Sequence, residues 1–350
     1  VKGAGILSID KIPVHPFKTF TKVARGLKAV LVDEQTKELY LGDFEDPQCG
    51  EDELLVSVKA TALNRADLLQ KKGLYPPPKG ESPILGLEMA GVVEKVGAKV
   101  NDWEIGDRVF ALLPGGGYAE KARIPASMAM RMPDNFSFEQ AAAIPEAYLT
   151  AYLKMIQLGE LSEGEIVLIH AGASGVGTAA IQLAKEKGAT SIVTAGSAEK
   201  LEACISLGAD YTINYKEESF SERVLDITDG KGVQVILDFI GASYWDDNVK
   251  SIAVDGRWII IAALGGYQKE INIRDILMKR IQIKGSTLRS RTIEEKVKLT
   301  QDFYNFSSDR FEDGRLVPVI DTVFDWAEAE ASHKCLEDNK NIGKVILKIG

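Results

Sequence analysis

From "LKAVLVD" to about residue 147 the chain runs in short apolar stretches that alternate with polar positions. "ELLVSVKATAL", "MAGVVEKVG", "GDRVFALL" and "YAEKARIP" read as strands. Gly and Pro punctuate them at "YPPPKGESP", "GAKV" and "LPGGGY". This half predicts a barrel-like β domain. At "SFEQAAAIPEAYLTAYLKMIQLG" the texture turns Ala-rich and helical, with a break expected near Pro145. Strands and helices then alternate, from "EIVLIHAG" and "TAAIQLAKEKGA" through "SIVTAGS", "AEKLEACISLGA", "YTINY", "SFSERVLDITDG", "VQVILDFIG" and "SYWDDNVKSIAVDG" to "RWIIIAALGG". Alternation at these lengths predicts a parallel sheet with crossover helices. After "RIQIKGS" two helical stretches precede a lone strand, "NIGKVILKIG". A lone late strand needs a host sheet, and the first domain supplies the expected one.

Composition narrows the class. A length of 350 residues fits about two domains. The formal net charge of −9 works against a broad nucleic-acid or anionic-membrane surface. Cys49, Cys204 and Cys335 are scattered and odd in number, which is no disulfide framework and points to a reducing compartment. Apolar runs fall short of the roughly 20 residues that span a bilayer. Residues 1–27 stand apart: five basic side chains face the single acid Asp10. They read as a surface arm, with cytoplasmic location expected, or as part of a mitochondrial targeting segment.

The candidate chemistry centres on Gly172-Ala173-Ser174-Gly175-Val176-Gly177, which follows an apolar strand and opens an Ala-rich helix. Against G-x-G-x-x-G, the first and last glycines match and Ser174 takes the middle place. Such a turn lets backbone approach a pyrophosphate, which the helix N-terminus then holds. The second strand chooses the dinucleotide. An NAD site wants an acid about 20 residues on, for the ribose 2′-hydroxyl. Here Ala195, Gly196 and Ser197 stand in its place, with Lys200 beyond. Without the acid a 2′-phosphate is not repelled, so NADPH is the expected cofactor.

"LGLEMAGVVEKVG", "HAGASGVGTAAIQLAK" and "NIGKVILKI" resemble the medium-chain dehydrogenase/reductase superfamily, in its zinc-free quinone oxidoreductase branch. "ATALNRADLLQKKGLYPPP", "LLPGGGYAE", "AAAIPEAYLTA" and "LRSR" are most similar to the tumour-suppressor-inducible subgroup. The resemblance covers about residues 28 to 349. It implies an α/β protein with a GroES-like catalytic domain and a Rossmann domain (a doubly wound parallel sheet), a cleft between them, and a homodimer. The expected boundaries are a 1–27 extension, a catalytic domain in two parts (28–147 and 290–350), and a Rossmann domain at 148–289. Where zinc-dependent members carry a cysteine and a histidine ligand, this chain has Asn64 and Leu87, and neither binds zinc usefully. No metal is therefore expected. With no Lewis acid to assist alcohol oxidation, an electron-poor acceptor such as a quinone is the implied substrate.

By the same resemblance, Asn64, Asp67 and Tyr75 line the substrate side, though Asn and Asp also cap helices. Thr150 is implied beside the nicotinamide, and Tyr215 beside the 2′-phosphate with Ser197 and Lys200. Gly241, Leu264 and Gly265 end successive strands. Arg289 and Asn341 are candidates for phosphate or amide groups. An enoyl or enone reductase on the same fold is the alternative enzyme, leaning on Tyr75 as acid. A non-catalytic role like that of zeta-crystallin relatives, RNA binding included, is the alternative of another class, and the negative charge works against it.

Overall fold

The structure, a computed structural model, describes residues 26–350. The basic arm expected at the start lies almost wholly outside the described residues. Strand β1 (Leu27–Val32) forms an antiparallel hairpin with β2 (Leu39–Phe44), a strand the apolar pattern does not announce. Next come β3 (Glu53–Ala62), β4 (Glu88–Val96), β5 (Arg108–Leu112), β6 (Lys121–Pro125) and β7 (Met130–Arg131). The ten-residue β3 is the spine of this half. One of its edges pairs with β4, and the other carries β6 along Glu53–Ser57. Pairing with β4 is close: a Cβ on Gly91 would lie 2.2 Å from the Ser57 carbonyl oxygen, so only glycine fits there.

The parallel sheet holds β8 (Ile166–Ile169), β9 (Thr190–Ala195), β10 (Tyr211–Asn214), β11 (Val233–Asp238), β12 (Ile252–Ile260) and β13 (Gln282–Gly285). Their spatial order is β10-β9-β8-β11-β12-β13. The order reverses between β8 and β11, and ligands bind outside the carboxyl ends of strands at such a point. One boundary differs from the sequence expectation. The helix in "SYWDDNVKSIAVDG" ends at Ser251, and β12 already begins at Ile252. The run "SIAV" carries β-branched residues that pair with β11 at Val233. Tertiary pairing decides the boundary there.

After the long helix Ile293–Glu312 the chain returns to the first sheet. There β14 (Ile320–Asp325) pairs with β15 (Lys344–Lys348), and β15 pairs antiparallel with Ala60–Ala62 of β3. The late strand has thus joined the sheet expected of it.

Four helices matter to the site: α1 (Arg65–Lys71), α2 (Phe138–Ala142), α3 (Pro145–Ala151) and α4 (Gly175–Glu186). The break near Pro145 is a new helix start, with the proline at its first position, where it lacks no needed N–H. A π-helical segment, Tyr152–Leu158, continues α3 and buries Lys154.

Candidate active site between the two sheets

The glycine turn is shaped by contact. A Cβ on Gly172 would lie 1.8 Å from Val193 Cγ1, and one on Gly177 would lie 2.4 Å from the Ala171 carbonyl oxygen. Ser174 caps α4, its Oγ accepting the Gly177 N–H at 3.0 Å. The N–H groups of Gly175 and Val176 make no hydrogen bond with described residues. They are donors ready for an anion at a helix N-terminus. The turn is stapled from the far end of the chain: Gly343 N–H donates to the Ala173 carbonyl at 2.8 Å, and Asn341 Nδ2 donates to the Gly343 carbonyl at 2.8 Å. Asn341 therefore belongs to the turn's immediate surroundings.

Past β9, Ala195 and Gly196 lead to Ser197, whose Oγ caps the next helix by accepting the Lys200 N–H at 3.4 Å. A Cβ on Gly196 would meet the Tyr215 hydroxyl at 2.6 Å, so the tyrosine tip lies on this glycine. Lys200 Nζ donates to the Asn339 carbonyl at 2.6 Å, and Arg65 Nη2 donates to Asn339 Oδ1 at 3.1 Å. Burial first, then Arg65 and Lys216, hold the Lys200 ammonium below its ordinary range. Neither Lys200 nor Lys216 forms an ion pair with described residues. Three basic groups thus gather here, opposed only at longer range by Asp321 at Lys200 and Glu337 at Arg65.

Gly241 has φ +78°, and its N–H is held by Asp238 Oδ1 at 2.9 Å. The other Asp238 oxygen accepts Trp258 Nε1 at 3.0 Å and Asn248 Nδ2 at 3.3 Å. Asn248 Oδ1 meets His170 Nε2 at 2.7 Å. This buried network fixes the strand ends. Gly265 N–H donates to the Ile240 carbonyl at 2.7 Å, which ties the loop of exposed Leu264 to that of Gly241. Thr150 is buried on α3.

On the other side, Asn64 stands at the N-terminus of α1, and its Nδ2 donates to Glu88 Oε1 at 2.8 Å. Lys344 Nζ donates to Asn64 Oδ1 at 2.7 Å and to the Leu63 carbonyl at 2.8 Å. It also pairs with Glu88 at 2.7 Å. The second Glu88 oxygen accepts the Glu146 N–H at 2.8 Å. Asp67 is buried inward of Asn64, accepting the Asn64 and Gly86 N–H groups at 2.8 and 3.0 Å. Burial raises its carboxyl to about 6, despite those bonds. Asp67 thus works as a brace beneath Asn64, through the bond that also caps α1.

Tyr75 is half-buried on the segment after α1. The Arg289 guanidinium lies 5.2 Å from its ring centre, donates to the Tyr75 carbonyl at 3.3 Å and reaches Gln70 Oε1 at 2.8 Å. Two further bonds go to the Pro114 carbonyl. Arg289 is thereby grouped with Tyr75.

The sequence reading singled out neither Glu88, Lys344 and Glu146 nor Arg65 and Lys216. A signal existed for the first three: each is a charge set inside an apolar motif, in "LGLEMAGVV", "NIGKVILKI" and "AAAIPEAYL". Charged residues are almost never fully buried unless paired. Arg65 and Lys216 carry no such mark, because they meet only through folding.

Leu87 is buried, and Asn64 is engaged by Glu88 and Lys344. Among the described residues no group of three or more His, Cys, Asp or Glu is arranged to hold a metal ion. No helix of those residues is long and apolar enough to cross a membrane.

The alcohol dehydrogenase GroES-like domain family matches residues 50–134, and the zinc-binding dehydrogenase family matches residues 175–302. A quinone oxidoreductase of Pseudomonas aeruginosa is 33% identical over 309 residues, covering 87% of this chain and 94% of that protein. A polyketide synthase subunit of Mycobacterium tuberculosis is 31% identical over 302 residues, 85% of this chain, and the match spans only 14% of its length. Among solved structures, a Pseudomonas syringae quinone oxidoreductase superposes with a TM-score of 0.82 at 33% identity, over 93% of this chain and 100% of its own. The CurK enoyl reductase gives 0.83 at 26% identity, with the same coverage. A mycobacterial protein complexed with NADPH gives 0.82 at 28%, over 92% of this chain and 99% of its own. The motifs, the two-sheet architecture and these relatives agree: the chain belongs to the medium-chain dehydrogenase/reductase superfamily, in its zinc-free quinone oxidoreductase branch, and its fold is that of oxidoreductases that use a nicotinamide cofactor.

Proposed function

We propose that the protein is an NADPH-dependent, zinc-independent quinone reductase, with the acceptor bound between Asn64, Tyr75 and the carboxyl edge of the parallel sheet. The observation that carries the cofactor is the basic pocket of Lys200, Lys216 and Arg65 beyond a strand end that has no acid. The free N–H groups of Gly175 and Val176 fit the pyrophosphate, and Ser197, Lys200 and Tyr215 fit a 2′-phosphate. When bound, the dinucleotide supplies the hydride.

The chain's own residues supply position and a sheltered cleft. Asn64, oriented by Glu88 and Lys344, turns a polar edge to the acceptor. Tyr75, clamped by Arg289, covers it, and the proline run Pro76–Pro78 stiffens that segment by fixing φ. An electron-poor acceptor is favoured because Asn64 and Leu87 offer no Lewis acid that would polarise an alcohol or simple ketone.

Enone reduction is the second reading, favoured by the half-buried Tyr75 phenol and by the structural likeness to an enoyl reductase. Family likeness alone names neither substrate. A screen of NADPH oxidation against ortho-quinones, para-quinones and small enones tests both. Turnover of quinones and not of enones is expected. Turnover of enones alone would replace the main reading with the second.

A further inference from the structure

Glu146 is the acid that the hydrogen-bond network leaves free. Its backbone N–H is fixed on one oxygen of Glu88, and Asn64 is fixed on the other, so one buried carboxylate holds both residues beside each other. The Glu146 side chain is half-buried and makes no hydrogen bond or ion pair with any described residue. It lies one turn before Thr150 on α3, and residues four apart share a helix face. Asp67 is committed to structural partners, the Asn64 carboxamide has no acidic proton to give, and the Tyr75 phenol is pushed up by burial.

We infer that Glu146 is the proton donor of the reduction. The inference rests on the quinone reductase reading. Hydride transfer from NADPH to a quinone leaves a hydroquinone monoanion. The Glu146 O–H bond breaks as the anion's new O–H bond forms, giving hydroquinone, NADP⁺ and a carboxylate that solvent reprotonates.

The surroundings keep this acid protonated at neutral pH. Burial raises the carboxyl first, and the negative charges of Glu88 and Asp67 add to that, so that it stands at about 8. Lys344 and Lys154 oppose the rise without cancelling it. Tyr75, Arg289 and, on the helix Ile293–Glu312, Lys296 lie within electrostatic reach of it. A carboxylic acid with a pKa near the working pH is suited to give up a proton.

The test pairs two readouts on wild type, Glu146→Gln and Glu146→Asp. Infrared spectra of the cofactor-free protein should show a protonated carboxyl C=O band that fades as pH rises through about 8, absent from Glu146→Gln. In steady-state assays, wild-type kcat should fall above that pH. Glu146→Gln should lose kcat by about a hundredfold or more at pH 7, in the range general acids contribute, with that alkaline fall abolished. Glu146→Asp should regain part of the rate. Loss of the band with kcat and its pH profile unchanged would overturn the inference while leaving the reductase reading intact. A wild-type protein that reduces no quinone would defeat both.

Discussion

Lys344 Nζ lies 2.7 Å from Glu88 Oε1, and both side chains are almost fully buried. The pair bolts β15 to β4 and, through Asn64 and Glu146, ties the starts of α1 and α3 to them. Removing one partner strands the other charge without water. Lys344→Met should therefore lower stability by about 3–5 kcal/mol, read from urea denaturation midpoints. The double variant Lys344→Met with Glu88→Gln should recover part of that loss. A double variant as unstable as the sum of the two singles would show that the residues act independently.

Lys154 supplies the opposite case. It is buried without an ion pair among the described residues, donates to the Ser286 carbonyl at 2.7 Å, and is lowered by burial to about 7. Below that pH the folded protein holds a charge it would sooner hydrate, at about 1.4 kcal/mol for each unit of lowering. The penalty is full below pH 7 and shrinks as pH rises toward the ordinary lysine value. Lys154→Met leaves one carbonyl unpaired, which offsets part of the gain. It should still stabilise the fold by about 1–3 kcal/mol at pH 6. Thermal melts at pH 6 and pH 9 check this: the difference must be larger at pH 6.

For the dinucleotide, Lys200→Ala should weaken NADPH binding roughly tenfold to a hundredfold, since a hydrogen bond to a charged group contributes about 1.5–3 kcal/mol. NADH binding should barely move. Paired fluorescence titrations decide the matter. Equal losses for both cofactors would assign Lys200 to the fold, through its bond to Asn339. A wild type that prefers NADH would defeat the NADPH assignment.

Asn64 and Leu87, which are poor zinc ligands, predict that the protein works without zinc. Elemental analysis should find less than stoichiometric zinc, and a chelator should leave reductase activity unchanged. Stoichiometric metal with activity lost to the chelator would sink the expectation.

Much of this architecture could be read from the chain. Period-two runs marked β3 to β5, and the alternation of strands with helices marked the parallel sheet. A strand with no nearby partner announced that β15 must return to the first half. β2 escaped because "LYLGDF" is too polar and glycine-broken to stand out, and it is held mainly by pairing with β1. Within the site, the glycine turn and the missing acid were legible because local backbone chemistry dictates them. The setting of Glu146 was not. Its importance comes from Glu88 and Asn64, residues distant in sequence that meet only when β3 and β4 pair and α3 packs beside them. Arg289 shows the same limit from the other side, since a lone arginine in "LRSR" says nothing of the tyrosine ring it covers.

The shared edge of β3 also sets a schedule for the ribosome. Ser57 and its neighbours find β6 soon after synthesis, yet the Ala60–Ala62 end waits for a strand whose lysine is 281 positions beyond its contact at Leu63. The parallel sheet can form in the interval, because its six strands are all made by residue 285. The glycine turn that feeds from it remains unstapled until Gly343 arrives. A nascent chain therefore carries an open sheet edge through most of its translation, the condition in which edges recruit other chains. Chains interrupted before Lys344 should be cleared by proteases as unfinished molecules, and they should not persist as weak enzymes.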